Sequence, residues 1–330
     1  MPRMTFAEAL IDGLVWALRS DPNAVILGRG LTGHGAEADA QKPLMDEFGD
    51  RITDPPTSEQ AMTSLGIGAA IAGTPMLVHY GTASFALEAW NQFVNEAGNA
   101  HYMSGGQLEV PVVFHVFHGI RGGGGPQHSV SPHAMMANAP GIEIVMPASP
   151  MDAKGLMRAA MKSRNPTFFF NHTMLLGLEE DVPEGDFEIP LGKAAVKRRG
   201  RDVTVVALSK MVPEALSAAE TLAKDGIDVE VVDLRTLCPL DENTVLDSVK
   251  KTGRLVVADE GSIVCGAASE VAAFVAEKAF ASLKAPVARV ARAMVPVPFS
   301  PPLEAAVMPG AQQIVDACLK CVKTRQPIAG

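Results

Sequence analysis

The sequence predicts two doubly wound α/β domains, each a parallel sheet covered by helices on both faces. Its 330 residues suffice for two domains of about 150 residues each. Short apolar runs typical of buried strands alternate with amphipathic helical stretches along nearly the whole chain. Hydrophobic residues make up 47% of the chain and charged residues 20%, which is a globular composition.

The first predicted domain covers residues 1–185. Phe6, Leu10, Leu14 and Leu18 recur at helical spacing and predict an opening helix. The predicted strands are Ala24–Leu27, Met76–Val78, Val110–Phe114, Ile142–Met146 and Thr167–Phe170. The predicted helices that follow are Ala61–Gly73, Leu87–His101 and Pro150–Lys162, and we expect Asp152 and Lys154 in a solvated first turn of the last one.

A stretch without helix or strand periodicity interrupts the alternation of predicted strands and helices, and it predicts a surface linker. Leu178–Asp186 is acidic, rich in turn residues and without periodicity, and the short basic run Lys197–Arg201 is expected to be a solvated face. We therefore place a linker at residues 186–197 and a second domain at residues 198–330. The predicted elements of that domain are strands Val203–Leu208, Val229–Leu234, Leu255–Ala258 and Val287–Val290, and helices Pro213–Lys224, Asp241–Val249 and Ala267–Phe280.

Charge and hydropathy exclude several classes of function. The formal charge is −9 with no sizeable Lys/Arg cluster, which disfavours binding of nucleic acid or anionic lipid. Apolar runs fall far short of the about 20 residues that span a membrane, and the first residues show no secretory signal. We therefore expect a soluble, cytoplasmic protein. Cys318 and Cys321 form a CxxC without a second pair, so buried or half-buried thiols are expected instead of a zinc site.

The segment Asp54-Pro-Pro-Thr-Ser-Glu-Gln leads into a predicted helix of small residues. Two prolines make the approach rigid, and Ser58 can cap the helix. Glu59 falls in the first turn, where the positive end of the helix dipole stabilises a carboxylate. From these residues alone, Glu59 is either a capping carboxylate or a functional one.

A glycine-rich loop, Gly119-Ile-Arg-Gly-Gly-Gly-Gly-Pro-Gln-His-Ser, is the second candidate site. Four consecutive glycines are typical of a close approach to a ligand or of a flexible surface loop, and both interpretations remain open. The loop lacks the P-loop pattern, and the GxGxxG of Gly28, Gly30 and Gly33 opens no clear helix, so no dinucleotide site is expected. His128 is the histidine most exposed by context.

The remaining candidates are less specific. Phe85 and Trp90 belong to a chain with only 5% aromatic residues and fit either core packing or a site. His115 and His118 flank Phe117 in a strand-like run, as core or rim groups. No HxxxH or His/Cys spacing marks a metal site, so none is predicted on this chain.

Taken together, colinear motifs across nearly the whole chain resemble the beta subunit of the thiamine-diphosphate-dependent decarboxylase component of 2-oxo acid dehydrogenase complexes, with the pyruvate and acetoin types most similar. The motifs are Asp54-Pro-Pro-Thr-Ser-Glu, Asn91-Gln-Phe-Val-Asn-Glu-Ala, Tyr102-Met-Ser-Gly-Gly, Pro126-Gln-His-Ser, Pro140-Gly-Ile-Glu-Ile-Val-Met-Pro, Asp152-Ala-Lys-Gly-Leu, Pro190-Leu-Gly-Lys-Ala, Asp233-Leu-Arg-Thr-Leu-Cys-Pro-Leu-Asp and Lys251-Thr-Gly-Arg. The resemblance implies a transketolase-like pyrimidine-binding domain followed by a transketolase-type carboxy-terminal domain.

The resemblance also implies roles for particular residues. Glu59 matches the glutamate that hydrogen-bonds a ring nitrogen of the cofactor's aminopyrimidine and favours the tautomer that deprotonates the thiazolium carbon. Phe85 matches the aromatic residue that packs on the pyrimidine, and Thr57 is expected to bind the cofactor as well. His128 matches the histidine that contacts substrate.

The family's metal motif, Gly-Asp-Gly followed downstream by Asn-Asn, is absent from this chain. The resemblance therefore implies an alpha subunit that carries the diphosphate and Mg²⁺, a heterotetramer with active sites at subunit interfaces, and in many relatives docking to a lipoyl acyltransferase core. Departures from the family pattern stand at Arg29, His79, Asn91 and His115, and Ser163 replaces the carboxylate of a monovalent-cation loop.

Several of those departures cluster around the expected pocket, so they leave the substrate open between a pyruvate-like 2-oxo acid, acetoin and a divergent substrate, and they leave open an acceptor other than a lipoyl arm. Two alternatives also remain. One is half of a split transketolase-like enzyme acting on sugars, which Ser58-Glu59-Gln60-Ala61-Met62 favours. The other is a non-catalytic scaffold subunit of the same fold.

Overall fold

The computed structural model describes residues 1–28, 30–33 and 35–324, and of Gly35–Glu37 the backbone alone. Arg29, one of the departures from the family pattern, lies outside the described residues. Within these ranges, none of the helices is both long and apolar enough to cross a membrane.

Six strands of the amino-terminal half and one strand of the carboxy-terminal half form a seven-stranded sheet. The strands of this half are β1 (Arg3–Thr5), β2 (Val25–Leu27), β3 (Ile52–Thr53), β4 (Met76–Thr82), β5 (Val112–His118), β6 (Glu143–Val145), β7 (Thr167–His172) and β8 (Glu179–Asp181). Strands β1 and β8 form a separate two-stranded ribbon, and β2 to β7 belong to the large sheet. The order is β6-β7-β5-β4-β2-β3, all parallel, and the ribbon β1–β8 is antiparallel. Val, Ile and Phe fill these strands because both faces of a parallel sheet are covered.

Helices cover both faces of this sheet. They are α1 (Phe6–Ser20), α2 (Lys42–Phe48), α3 (Glu59–Ile71), α4 (Ala83–Ala86), α5 (Gly98–Met103), α6 (Gly125–His128), α7 (His133–Ala137) and α8 (Pro150–Lys162). Thr5 and Glu8 form a capping box that starts α1, whose apolar stripe joins a core cluster with α8 and one sheet face. Helix α3 packs on the opposite face, directly against β4.

The carboxy-terminal half repeats the pattern. Its strands are β9 (Ala195–Arg198), β10 (Val203–Ala207), β11 (Val229–Asp233), β12 (Thr236–Cys238), β13 (Leu255–Ser262) and β14 (Ala288–Arg292). Its helices are α9 (Met211–Lys224), α10 (Glu242–Thr252), α11 (Ala267–Ala279), α12 (Pro301–Val307) and α13 (Ala311–Lys323). The sheet order is β14-β13-β10-β11-β9, parallel except at β9. The predicted α/β class is confirmed in both halves.

The two sheets are joined through strand β12, which leaves the carboxy-terminal half and pairs antiparallel with β6. One apolar cluster then runs between the halves, with Phe168 and Phe170 of β7 on one side and Val206 and Val232 on the other. Because this cluster is continuous, the halves share a core instead of touching only through a polar surface.

Several predictions about the edges and surfaces are wrong. Both sheets carry an antiparallel edge strand, β12 and β9, where fully parallel sheets were predicted. The segment Leu178–Asp186, predicted without regular structure, contains β8, and the predicted linker 186–197 already includes the start of β9. Edge strands this short carry too few alternating residues to show a period in the sequence.

Charged residues at the junction of the halves also differ from expectation. Asp152 is fully buried and Lys154 is 4% exposed, although a solvated turn was predicted. Lys197 of the basic run lies 2.5 Å from Asp152, and Arg235 lies 2.7 Å from the same carboxylate. Asp152 is buried because it pairs with cations across the junction, whereas Lys154 pairs within the amino-terminal half, where its Nζ lies 3.2 Å from Asp12 Oδ1.

The predicted helix Leu87–His101 is irregular. Its path runs through a 3₁₀ turn at Leu87–Ala89, a π-helical segment at Gln92–Ala97 and α5. Gly98 lies where this path meets the loop at Pro140, since a Cβ there would approach the Pro140 carbonyl oxygen to 2.8 Å.

Candidate active site

A cavity of about 720 Å³ opens at the carboxyl edge of the first sheet. The loops that follow β2, β3, β4, β5 and β7 all contribute to its lining. Ligands of open α/β sheets bind at this edge because successive parallel strands end there together. The four site residues predicted from the sequence, Thr57, Glu59, Phe85 and His128, all line the cavity.

Glu59 begins helix α3 and is half-buried at the cavity wall. Ser58 occupies the N-cap position, but its side chain makes no capping hydrogen bond, contrary to the prediction. The Glu59 carbonyl accepts a hydrogen bond from Thr63 Oγ1 at 2.6 Å, and Thr63 Oγ1 lies 2.7 Å from the buried hydroxyl of Tyr80. Burial raises the pKa of Tyr80, so a neutral phenol anchors the first turn of α3 to β4.

Helix α3 can lie this close to β4 because of Gly66. A Cβ at this position would lie 2.5 Å from Cγ2 of Val78. Gly66 is therefore a packing requirement, and it sets how close α3, which begins with Glu59, lies to β4.

Phe85 and His128 face each other across the cavity wall. Their ring centroids are 5.4 Å apart with the planes nearly perpendicular. Phe85 is 39% exposed and lines the cavity, which argues against core packing as its role. The Ser84 hydroxyl donates a hydrogen bond to the Gln127 carbonyl and so ties the short helix α4 to the loop that carries His128.

The glycine-rich loop is fixed by carboxylates of the carboxy-terminal half. Glu260 accepts a hydrogen bond from the Ile120 N–H at 2.6 Å, and Glu304 accepts from the N–H groups of Gly122 and Gly123, each at 2.6 Å. Burial raises the pKa of Glu260, but the His172 imidazole, 2.7 Å away, outweighs it and the pKa falls to about 2. These contacts argue against a flexible surface loop, and Arg121 and His128 of the same loop line the cavity.

Arg121, on this loop, is a site residue that the sequence analysis did not single out. It lines the cavity and donates a hydrogen bond to Thr82 Oγ1 at 3.0 Å. The available signal was a charged side chain within a glycine run that follows a strand. Only the fold shows that this loop and Glu59 line the same cavity.

Two of the departures from the family pattern contact each other. His79, which lines the cavity, has its Nδ1 at 2.7 Å from Nδ1 of His115, and Asn171 Nδ2 lies 2.6 Å from His115 Nε2. If the Asn171 amide donates to Nε2, the proton of His115 is on Nδ1 and is donated to His79. Burial lowers the pKa of His79 to about 4 and that of His115 well below its usual value, so both rings are neutral at neutral pH.

The other candidates lie elsewhere. Asn91 is exposed and does not line the cavity; its Oδ1 accepts from Asn95 Nδ2 at 2.6 Å. His115 and His118 are both buried in the core. Cys318 and Cys321 are buried thiols as predicted, Cys238 is half-buried, and Cys265 is exposed. In the ranges that the structure covers, no group of three or more His, Cys, Asp and Glu side chains is placed to hold a metal ion.

Comparison with known proteins matches the chain to two family models. The pyrimidine-binding domain of transketolase matches residues 3–179, and the carboxy-terminal domain of transketolase matches residues 192–314. A solved structure described as a split-gene transketolase, an inactive beta4 tetramer, superposes with a TM-score of 0.80 over 98% of this chain and 99% of that one. At 24% identity, that likeness concerns the fold alone.

Sequence relatives are much closer. The beta subunit of acetoin:2,6-dichlorophenolindophenol oxidoreductase from Cupriavidus necator is 40% identical over 97% of this chain and 98% of its own length. The pyruvate dehydrogenase E1 component subunit beta of Rickettsia felis is 38% identical over 96% of this chain and 98% of its own length. The chain therefore belongs to the transketolase-like family of pyruvate and acetoin dehydrogenase beta subunits, as its motifs predicted.

Proposed function

We propose that this chain is the beta subunit of a thiamine-diphosphate-dependent dehydrogenase that acts on a pyruvate-like 2-oxo acid or on acetoin. The observation that carries the proposal is the presence of Glu59, Phe85 and His128 in one cavity. Each lies on a separate segment, at the start of α3, in α4 and at the end of the glycine-rich loop. Their convergence follows from the fold and not from their spacing in sequence.

The cavity fits the aminopyrimidine half of thiamine diphosphate. The exposed ring face of Phe85 offers an aromatic surface to a flat heterocycle, and the half-buried carboxylate of Glu59 is an acceptor for a protonated ring nitrogen. Thr57 precedes α3 on the same wall and adds a hydroxyl. When bound, the cofactor would supply the carbon nucleophile and the electron sink for C–C cleavage.

The residues of this chain would divide the remaining work. Glu59 holds a proton between its carboxylate and the ring nitrogen, and Phe85 fixes the plane of the heterocycle. His128, edge-on to Phe85, can donate or accept a proton at a substrate oxygen. The carboxylates Glu260 and Glu304 keep the loop of His128 in place through backbone N–H groups.

The proposal includes a partner. An alpha subunit would carry the diphosphate and its Mg²⁺, in a heterotetramer with active sites between subunits. The acyl fragment would pass to lipoamide on an acyltransferase core. The disulfide of lipoamide is reduced as one of its sulfurs accepts the acyl group.

The test is reconstitution. The chain is co-purified with its alpha partner, and turnover of pyruvate, acetoin and ketose phosphates is measured with and without thiamine diphosphate. We expect cofactor-dependent turnover of a 2-oxo acid or acetoin, and a fall of at least about 100-fold in Glu59→Gln. Glu220→Gln, an exposed change on α9, is the matched control and should leave turnover unchanged.

Other results would redirect the assignment. Turnover of ketose phosphates alone would identify half of a split transketolase-like enzyme. A complex that gains no thermal stability from thiamine diphosphate and has no turnover would be a scaffold, because a ligand that binds only the folded state must stabilise it.

A further inference from the structure

Arg121 presents a guanidinium group to the cavity with most of its hydrogen-bonding capacity unused. Guanidinium has five N–H donors, and among the described residues the one hydrogen bond of Arg121 is to Thr82 Oγ1, at 3.0 Å. The side chain is half-buried and lines the same cavity as Glu59 and His128. Burial lowers the pKa of Arg121, but an arginine stays protonated at neutral pH.

No carboxylate in the described part of the chain neutralises this charge. The two carboxylates nearest along the loop, Glu260 and Glu304, bind the backbone N–H groups of residues 120, 122 and 123, on either side of Arg121. Burial alone accounts for the shift in the pKa of Arg121, with no contribution from an acidic neighbour. A half-buried cation without a counter-ion is costly, unless an anion completes the site.

The loop is built to hold Arg121 in this position. A Cβ at Gly124 would lie 3.0 Å from Cγ and 3.1 Å from Nε of Arg121, so the bare glycine leaves room for the arginine stem. Together with Thr82 and the carboxylates that bind the loop backbone, this fixes the guanidinium before any ligand arrives. Pre-organised planar donors are suited to a carboxylate, which can accept two parallel N–H bonds.

We propose that Arg121 binds the carboxylate of the substrate, which makes the preferred substrate a 2-oxo acid and not the neutral hydroxyketone acetoin. This inference rests on the proposed function, since it assumes that the cavity is the active site. The carboxylate would lie near Arg121 and His128, which line the same cavity. Arg121 is thus a specificity-determining residue.

The chemistry predicts how replacing Arg121 changes KM and kcat. The carboxylate leaves as CO₂, so its negative charge is lost in the transition state and the contact with arginine is strongest in the ground state. An interaction of this kind lowers KM without raising kcat. In Arg121→Met, KM for pyruvate should rise about 10- to 100-fold, while kcat changes by no more than a few-fold.

The experiment uses the complex of this chain with its alpha subunit, loaded with thiamine diphosphate. KM and kcat are measured for pyruvate and for acetoin in the wild type, Arg121→Met, Arg121→Lys and the exposed control Arg199→Met. Binding of oxamate, an inert carboxylate analogue, and of neutral oxamide is measured by calorimetry as a second readout. We expect oxamate affinity to fall about 10- to 100-fold in Arg121→Met and partly to recover in Arg121→Lys, with oxamide unaffected.

Four outcomes would overturn the inference. Unchanged pyruvate KM and oxamate affinity would show that the arginine does not bind the carboxylate. An equal loss with acetoin or oxamide would indicate a structural role. Failure of both Arg121 variants to assemble would assign the guanidinium to an acidic group of the alpha subunit. Turnover of acetoin but of no 2-oxo acid would remove the inference and leave the proposed function standing, whereas no cofactor-dependent turnover at all would refute the proposed function itself.

Discussion

Glu304 illustrates how single residues far from the cavity in sequence determine its shape. Its side chain is 5% exposed, and its two oxygens accept from two successive glycine N–H groups of the loop that carries Arg121 and His128. The family resemblance predicted Thr57, Glu59, Phe85 and His128, of which all but Phe85 lie within a quoted motif. Glu304 and Arg121 belong to no such motif, and their roles depend on contacts across the fold.

Replacing Glu304 with Gln should loosen the loop. The amide keeps one acceptor oxygen but places an NH₂ group against the second glycine N–H, leaving a partly buried donor unpaired. We expect a loss of about 1–3 kcal/mol in the free energy of unfolding and a lower kcat/KM in the complex. Urea unfolding and steady-state kinetics measure both, with the exposed Glu277→Gln as control; equal behaviour of the two variants would contradict the role of Glu304.

At the level of elements, helix α3 links packing to chemistry. Its first residue is Glu59, and its distance from β4 is set by Gly66, whose Cα faces Val78. The sequence shows small residues and a proline-rich approach, so the helix and its start could be predicted. Which glycine faces the sheet could not, because that depends on the rotation of the helix about its axis.

Gly66→Ala and Gly68→Ala form a matched pair on this helix. A methyl group at residue 66 would lie 2.5 Å from Val78 Cγ2, whereas nothing lies within 4 Å of a Cβ at residue 68. Gly66→Ala should therefore cost about 1–3 kcal/mol and lower turnover by displacing Glu59. Gly68→Ala should be neutral or stabilise by up to about 1 kcal/mol, because alanine is the better helix former. Thermal unfolding ranks the two, and the reverse order would show that α3 packs differently.

Edge elements were the least predictable. The central strands carry continuous apolar runs, and β4, β5, β7, β10, β11 and β13 all fall where runs of Val, Ile, Leu and Phe predicted them. The edge strand β12 follows β11 directly but joins the other sheet. Nothing in a three-residue segment specifies its partner, and its position follows from the shared core between the halves.

At the scale of the whole molecule, the cavity belongs to both halves. The amino-terminal sheet supplies its lining, and the carboxy-terminal half fixes the glycine-rich loop through Glu260 and Glu304. The buried carboxylate of Asp152 pairs with the half-buried Lys197 and Arg235 at the same junction. Asp152 and Lys197 were expected in solvent from the sequence, since pairing partners 45 residues apart leave no local pattern.

Buried histidines predict how stability depends on pH. Burial lowers the pKa values of His79, to about 4, and of His115 and His118. The unfolded chain therefore binds protons that the folded chain excludes, and stability falls as the pH drops from about 6.5 toward 4. His133 has the opposite effect on stability. Burial lowers its pKa, but the Asp259 carboxylate outweighs burial and raises it. The stability that protonated His133 contributes is therefore lost as the pH rises.

Asp233, whose pKa burial raises to about 7, acts in the same direction as His133, so three groups oppose two, and unfolding in urea should require less denaturant at pH 5 than at pH 7. His79→Asn should reduce the slope of the unfolding free energy against pH by up to the equivalent of one bound proton. The exposed control His101→Asn should leave that slope unchanged. Equal slopes for wild type and His79→Asn would mean that His79 titrates normally in the folded protein.

The central claim is that Glu59 activates thiamine diphosphate in a site shared with an alpha subunit. The most direct measurement is the rate at which the C2 proton of the cofactor exchanges with deuterium in the assembled complex, followed by quenched-flow NMR, because it needs no substrate. The account predicts exchange in the wild-type complex far faster than for free cofactor and slower by at least about 100-fold in Glu59→Gln, with the cofactor still bound. Equal exchange rates in the two complexes would contradict it.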